Sequence, residues 1–130
     1  MSGYILVVDD VMTNAMLLEA RLVAAGFDVI TALSGSDCLA KVEQQIPDLI
    51  LLDVMMPGMD GFEVCRRIKA DLKSAHVPVV MVSALDHPAA RIAGKEAGAD
   101  DFLTKPVTEA ILISCVQRFS GGLRVPQSVD

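Results

Sequence analysis

The chain has 130 residues, enough for one domain with a single hydrophobic core and a short tail. Hydrophobic residues make up 52% and charged residues 22%, which excludes a disordered acidic chain. Eleven Lys and Arg against seventeen Asp and Glu give a net charge of −6, which argues against salt-driven binding of nucleic acid. Short apolar runs alternate along the chain with longer stretches of helical periodicity. The run YILVV over residues 4–8 predicts a strand buried on both faces. Residues 14–25 predict a helix, with Ala15, Leu18, Leu22 and Ala25 on one stripe and Gly26 as the stop. Residues 28–32 predict a short strand, and residues 36–45 a helix with Leu39 and Val42 inward, closed by Pro47. LILL over residues 49–52 is the most apolar strand and is expected at the centre of the sheet. The loop PGMDG, residues 57–61, leads into a helix over 62–73 whose apolar positions are Phe62, Val64, Cys65 and Ile68. Residues 77–82 predict a fourth strand. Pro88 opens a helix that ends before Gly98. Residues 102–104 predict a short fifth strand. The last helix, 108–119, is capped by Thr108 and has Ile111, Leu112, Cys115, Val116 and Phe119 as its apolar face.

Five strand–helix pairs of this kind imply an α/β domain of parallel β-α-β units with right-handed crossovers. Helices must then cover both faces of a doubly wound sheet. The domain is expected over residues 1–119. Residues 120–130 (SGGLRVPQSVD) are rich in Gly, Pro and Ser and read as a linker or a C-terminal tail. Cys38, Cys65 and Cys115 stand far apart without C-x-x-C spacing, so they read as reduced thiols of a cytoplasmic protein. The apolar start lacks a basic flank and runs into Asp9-Asp10, unlike a secretory signal. No apolar run approaches the roughly 20 residues of a membrane helix.

In an open α/β sheet the site forms at the carboxyl ends of the strands. Asp9-Asp10 end the first strand, Asp53 the third and Ser83 the fourth, and Lys105-Pro106 follow the fifth. Taken singly, each has a structural use: a turn, a helix cap, a turn, a solvated lysine. Their coincidence at four strand ends favours a site. Three carboxylates there repel one another and resist ionisation, which a hard divalent cation relieves. Oxygen ligands at that density suit Mg²⁺ (or Mn²⁺), which keeps waters and leaves room for a phosphoryl oxygen. Lys105 and Ser83 add a cationic and a hydroxyl donor, and the set describes phosphoryl transfer onto an aspartate.

At this point the segments ILVVDD (5–10), LILLDVMMPGMDG (49–61), VPVVMVSA (77–84) and DFLTKP (101–106) together resemble the marks of a two-component response-regulator receiver domain. LLDVMMPGMDGF and DFLTKP are most similar to the amino-terminal receivers of PleD-type diguanylate cyclases. The resemblance implies a five-stranded parallel sheet of the flavodoxin or CheY kind, strand order 2-1-3-4-5. It implies Asp53 as phospho-acceptor. Asp10 and Asp53 would ligate Mg²⁺ through side chains, Met55 through its backbone carbonyl, and Asp9 through a water. Ser83 and Lys105 would follow the phosphoryl group, and Phe102 stands at the aromatic switch position without the hydroxyl of a tyrosine. The Lys105-Pro106 bond is expected to be cis. Met55 and Leu85, two residues beyond Asp53 and Ser83, cannot orient an attacking water, so slow self-dephosphorylation is expected.

The expected function is a phosphorylation-activated switch in a phosphorelay, charged by a histidine kinase or phosphotransferase, that catalyses only its own modification. Phosphorylation takes Asp53 from −1 to about −2. The new oxygens would draw in Ser83 and Lys105 and remodel the face of the fourth helix, fifth strand and fifth helix. The output would be a linked domain such as a diguanylate cyclase, an effector, or a homodimer. One alternative is a stand-alone receiver that docks on the kinase or phosphotransferase. A small aspartyl-phosphate phosphatase is another, but Asp9-Asp10-Val11 lacks its D-x-D spacing and no segment supplies a substrate cap. A flavin module is disfavoured by the acidic first loop, residues 9–13, which has no phosphate cradle.

Overall fold

A run as apolar as Ile5–Val8 or Leu49–Asp53 is hidden only in a sheet covered on both faces, and that is where the computed structural model places both. It describes residues 3–85 and 87–119. The strands are β1 (Ile5–Val8), β2 (Val29–Ala32), β3 (Leu49–Asp53), β4 (Val79–Ser83) and β5 (Asp101–Thr104). They alternate with helices α1 (Met12–Ala24), α2 (Gly35–Gln44), α3 (Gly61–Ala70), α4 (Pro88–Glu96) and α5 (Glu109–Phe119). All strand pairs are parallel, in the order β2-β1-β3-β4-β5. Every residue of β1, β3 and β4 is buried, and β3 is central, as its composition predicts.

Alternate side chains feed two separate cores. Leu6, Val8, Ile50, Leu52, Val79 and Met81 pack with Cys38 and Val42 of α2 and with Val64, Cys65 and Ile68 of α3. Ile5, Val7, Leu49, Leu51, Val80 and Val82 pack with Ala15 and Leu22 of α1 and with Leu112, Cys115 and Val116 of α5. The three cysteines are free and buried, and burial pushes their thiols up, to about 12 for Cys38 and about 11 for Cys65 and Cys115. They are structural, unreactive thiols.

Helix boundaries depart from the expectations at identifiable places. α1 starts at Met12 because the backbone turns helical directly after Val11, a cap without a side-chain acceptor and therefore without a sequence signal. α3 starts one residue early, capped by Asp60, whose carboxylate accepts from Glu63 N–H at 3.0 Å. It stops at Ala70, where Asp71 turns extended and Ser74 Oγ donates back to Ile68 O at 2.8 Å. Ile111 does not belong to the inward face of α5 and is 50% exposed. The buried stripe is Leu112, Cys115 and Val116, and one residue earlier is about 100° around the helix. Thr108 does cap this helix, accepting from Ile111 N–H at 3.2 Å. Among the described residues no helix is long and apolar enough to cross a membrane. The expected linker or tail over residues 120–130 lies outside the described residues.

Candidate functional site

Strand register assembles the carboxyl edge. Val8 lies opposite Leu52, so the next residues, Asp9 and Asp53, leave neighbouring strands side by side. Asp53 lies opposite Val82, one residue before Ser83, and Ser83 lies opposite Thr104, one residue before Lys105. Four residues spread over most of the chain thus meet through strand length and register alone. The ends of β4 and β5 are also tied together, with Lys105 N–H donating to Ser83 O at 2.8 Å. The Lys105-Pro106 peptide bond is cis.

Asp9 and Asp53 are almost fully buried, whereas Asp10 stands exposed at the rim. Asp9 Oδ1 accepts from Val11 N–H at 2.9 Å, and Asp9 Oδ2 accepts from Lys105 Nζ at 3.1 Å. The same ammonium reaches Asp53 Oδ1 at 3.4 Å. One cation is therefore shared between two buried carboxylates. Burial pushes the Asp53 carboxyl up to about 6; Lys105 and the Met55 N–H oppose that rise, and the neighbouring Asp9 charge adds to it. Burial works to lower the Lys105 pKa, but its hydrogen bond to Asp9 and the two carboxylate charges outweigh burial and hold it above the ordinary lysine value.

One oxygen from each of Asp9, Asp10 and Asp53 lies within 4.8 Å of the others, so a single ion could touch all three. The donor set is oxygen alone and carries three negative charges against one lysine. That fits a hard divalent cation and not a thiophilic one. Met55 is 58% exposed, and its backbone N–H hydrogen-bonds Asp53.

Ser83 is fully buried, and its Oγ accepts from Leu85 N–H at 3.0 Å. By alternation along β4 and β5, Ser83 shares a face with Phe102. Leu85 and Phe102 are both half-buried against the α2–α3 core. Arg91 carries no signal in the chain pattern. Its guanidinium lies over the Phe102 ring, 5.0 Å from the centroid, and donates to Thr104 Oγ1 at 2.9 Å. Gly94 makes room for the same ring: a methyl group there would sit 3.3 Å from Phe102 Cδ2. No local pattern marks a helical Arg as the partner of a strand ten residues on.

A cavity of about 380 Å³ opens beside the cluster, between α1 and the segment that follows β5. Asp9 and Lys105 form its polar end, and Leu17, Leu18, Val82 and Val107 its apolar wall. Met12, Met16 and Leu17 of α1 are each at least half exposed, and Leu17 lines the cavity.

Comparison with known proteins agrees with this architecture. Residues 5–117 match the family described as response regulator receiver domain. Response regulator PleD of Caulobacter vibrioides is 53% identical over 117 residues, which are 90% of this chain and 26% of that protein. The chain therefore spans about a quarter of the length of that relative. Vibrio cholerae chemotaxis protein CheY4 superimposes with a TM-score of 0.87 at 31% identity, covering 92% of this chain and 99% of that one. The receiver domain of sensor histidine kinase PA1611 from Pseudomonas aeruginosa, solved with magnesium in its active-site cleft, gives 0.86 at 31% identity, covering 93% and 99%. With the matching segments in order, the strand order shared and the acidic cluster at the carboxyl edge, this chain belongs to the response regulator receiver domain family.

Proposed function

We propose that the chain is a Mg²⁺-dependent phosphorylation switch in which Asp53 accepts a phosphoryl group from a histidine kinase, a phosphotransferase or a small acyl phosphate. One observation carries this reading: a buried Asp53 shares a single lysine with a buried Asp9 and has Asp10 beside it. A divalent cation held by Asp10, Asp53 and the Met55 carbonyl, with Asp9 behind a water, would offset the carboxylate charge and steady the incoming phosphoryl oxygens. The magnesium-bearing receiver of PA1611 supports that assignment.

In the step itself an Asp53 carboxylate oxygen bonds to phosphorus. The bond from phosphorus to the donor nitrogen or oxygen breaks, and its electron pair leaves with the donor. Lys105 is within reach of Asp53 and donates to the phosphoryl oxygens. Ser83 Oγ already accepts from Leu85 N–H, which leaves its own hydrogen free to donate. Ser83 ends β4 and Lys105 directly follows β5, so their movement bears on Phe102 and on the face of α4, β5 and α5. The apolar α1 rim beside the cavity supports docking of the phosphoryl donor protein, with no direct nucleic-acid or membrane contact. The resemblance of LLDVMMPGMDGF and DFLTKP supports a diguanylate cyclase or similar effector as output, reached through residues 120–130 or through a homodimer. The domain acts in the cytoplasm, once per phosphorylation, and not as a turnover enzyme.

Incubation with Mg²⁺ and acetyl phosphate, read by intact mass, tests the reading. One phosphoryl group should be added, and it should be lost in Asp53→Asn and with chelator. No adduct from any donor would leave a constitutive interaction module. Met55→Asn with Leu85→Glu should speed loss of the phosphoryl group by roughly tenfold by admitting and orienting water. An unchanged hydrolysis rate would remove both residues from that role.

A further inference from the structure

The loop between β3 and α3 contains Gly58 and ends on Gly61, and the two glycines answer different needs. Gly58 has φ +76° and open space around it, so it serves backbone conformation. Gly61 has no left-handed φ; its need is space. A methyl group at Gly61 would overlap the Asp53 carbonyl oxygen, and would lie 2.8 Å from Val54 Cα and 3.1 Å from the Asp53 carbonyl carbon. These are backbone atoms of the strand end that presents Asp53, and no rotamer change moves them. Gly61 N–H also donates to Val54 O at 2.9 Å, so α3 begins in direct backbone contact with the end of β3. Gly35, the first residue of α2, packs closely against Met59 of the same loop and Val64 of α3. A methyl group there would meet Val64 Cγ2 at 2.8 Å and Met59 O at 3.1 Å.

We propose that Gly61 is a positioning residue for the Asp53 site: its missing side chain lets α3 abut β3 and sets where Asp53 and the Met55 backbone stand relative to Asp9, Asp10 and Lys105. The inference rests on the reading of that cluster as a Mg²⁺ site. A side chain at 61 must displace the Asp53–Val54 backbone or the start of α3 by roughly 1 Å, a shift that such chemistry does not absorb. The Lys105–Asp53 contact, already at 3.4 Å, has no slack to follow it.

The test compares Gly61→Ala, Gly35→Ala and Gly58→Ala in the full chain. Mg²⁺ alone is titrated against backbone amide chemical shifts, acetyl-phosphate phosphorylation is timed at saturating Mg²⁺, and thermal unfolding is recorded. Gly61→Ala should raise the Mg²⁺ Kd about tenfold or more, and Gly35→Ala about threefold. Gly58→Ala should lose thermal stability yet keep its Kd within about twofold, because a side chain at φ +76° costs stability while meeting no atom within 4 Å to displace. The phosphorylation rate should fall in the same order. A Gly61→Ala chain that folds and binds Mg²⁺ like the parent overturns the proposal, and so does a Gly58→Ala chain that loses binding equally. If Gly61→Ala does not fold, Gly35→Ala decides: an unchanged Kd there overturns it. Failure of the unsubstituted chain to bind Mg²⁺ would instead overturn the reading of the site itself.

Discussion

At the amino ends of the strands, Lys69 Nζ donates to Val77 O at 2.7 Å, Asp100 Oδ2 at 3.0 Å and Ala75 O at 3.3 Å. Asp100 Oδ2 accepts in addition from Val79 N–H at 2.8 Å. At the carboxyl ends, Lys105 Nζ divides itself between Asp9 at 3.1 Å and Asp53 at 3.4 Å, with Asp10 close by. The first cluster is one cation against one anion, completed by backbone carbonyls, and it ties α3, the segment after it and β4 together. The second leaves net negative charge in a buried place. Equivalent residue types thus produce a closed lock at one end of the sheet and an unfinished charge balance at the other. Only the unfinished one can respond to a cation or a phosphoryl group.

The sharpest way to break that contrast is to remove each ammonium in turn. Lys105→Met leaves two buried carboxylates unpaired and should cost about 3 kcal/mol in chelator. Because the missing charge is one a divalent ion can replace, added Mg²⁺ should recover most of it, and should stabilise this variant more than the parent. Lys69→Met should cost about 2 kcal/mol by orphaning carbonyls and leaving Asp100 with the Val79 N–H but no cation, with no recovery on adding Mg²⁺. Denaturant unfolding of both variants, with Mg²⁺ and with chelator, measures this. Equal recovery in the two would mean that the ends do not differ in kind.

The two ends were unequally legible in the sequence, for the same physical reason. Asp9, Asp53, Ser83 and Lys105 each terminate an apolar run. A parallel sheet brings the ends of such runs to one edge, so the cluster follows from chain pattern before any distance is known. The Lys69–Asp100 pair spans 31 residues between a helix and a loop and leaves no pattern to read. Arg91 over Phe102 is hidden likewise, since it depends on how α4 rolls against β5. Ile111 misled because a run of apolar residues wider than the buried stripe does not say which flank faces water. Gly61 sits in a segment whose glycines all look like turn residues; its close approach to Asp53 O is a fact of packing.

Titration should show the contrast next. Burial raises the Asp53 pKa from its ordinary value to about 6, so the folded state holds that proton more tightly than the unfolded chain. In chelator, the stability this proton contributes is fully present below pH 4. It is lost as pH rises through about 6, the reverse of ordinary acid unfolding, and amounts to about 2–3 kcal/mol. Asp53→Asn should flatten the profile there and be more stable than the parent at neutral pH. Tyr4, at the amino end, titrates with the same sign in another window. Burial, with Cys38 adding, raises its phenol to about 12, so its contribution holds up to pH 10 and fades from there through about 12. A metal-free profile that rises between pH 4 and 6 would contradict the assignment of Asp53 as a poorly compensated buried acid.

The smallest effect tests whether the ends are independent. Tyr4 begins the segment that β1 continues, and its hydroxyl donates to Gln45 O at 2.6 Å and lies 3.4 Å from Lys41 O, closing the end of α2. Tyr4→Phe keeps the ring in the core and removes only this donor. Gln45 is exposed, so water takes over its carbonyl, and the loss should be no more than about 1 kcal/mol. The Tyr4 share of the alkaline fade should go with the hydroxyl, leaving the share of the three buried thiols, which titrate in the same range. The Mg²⁺ affinity should not change, because β1 lies between Tyr4 and Asp9 as a rigid, fully buried strand. If Tyr4→Phe weakens Mg²⁺ binding, the looser seat of α2 reaches the carboxyl edge through Gly35 and the β3–α3 loop, and the lock and the switch are one mechanical unit.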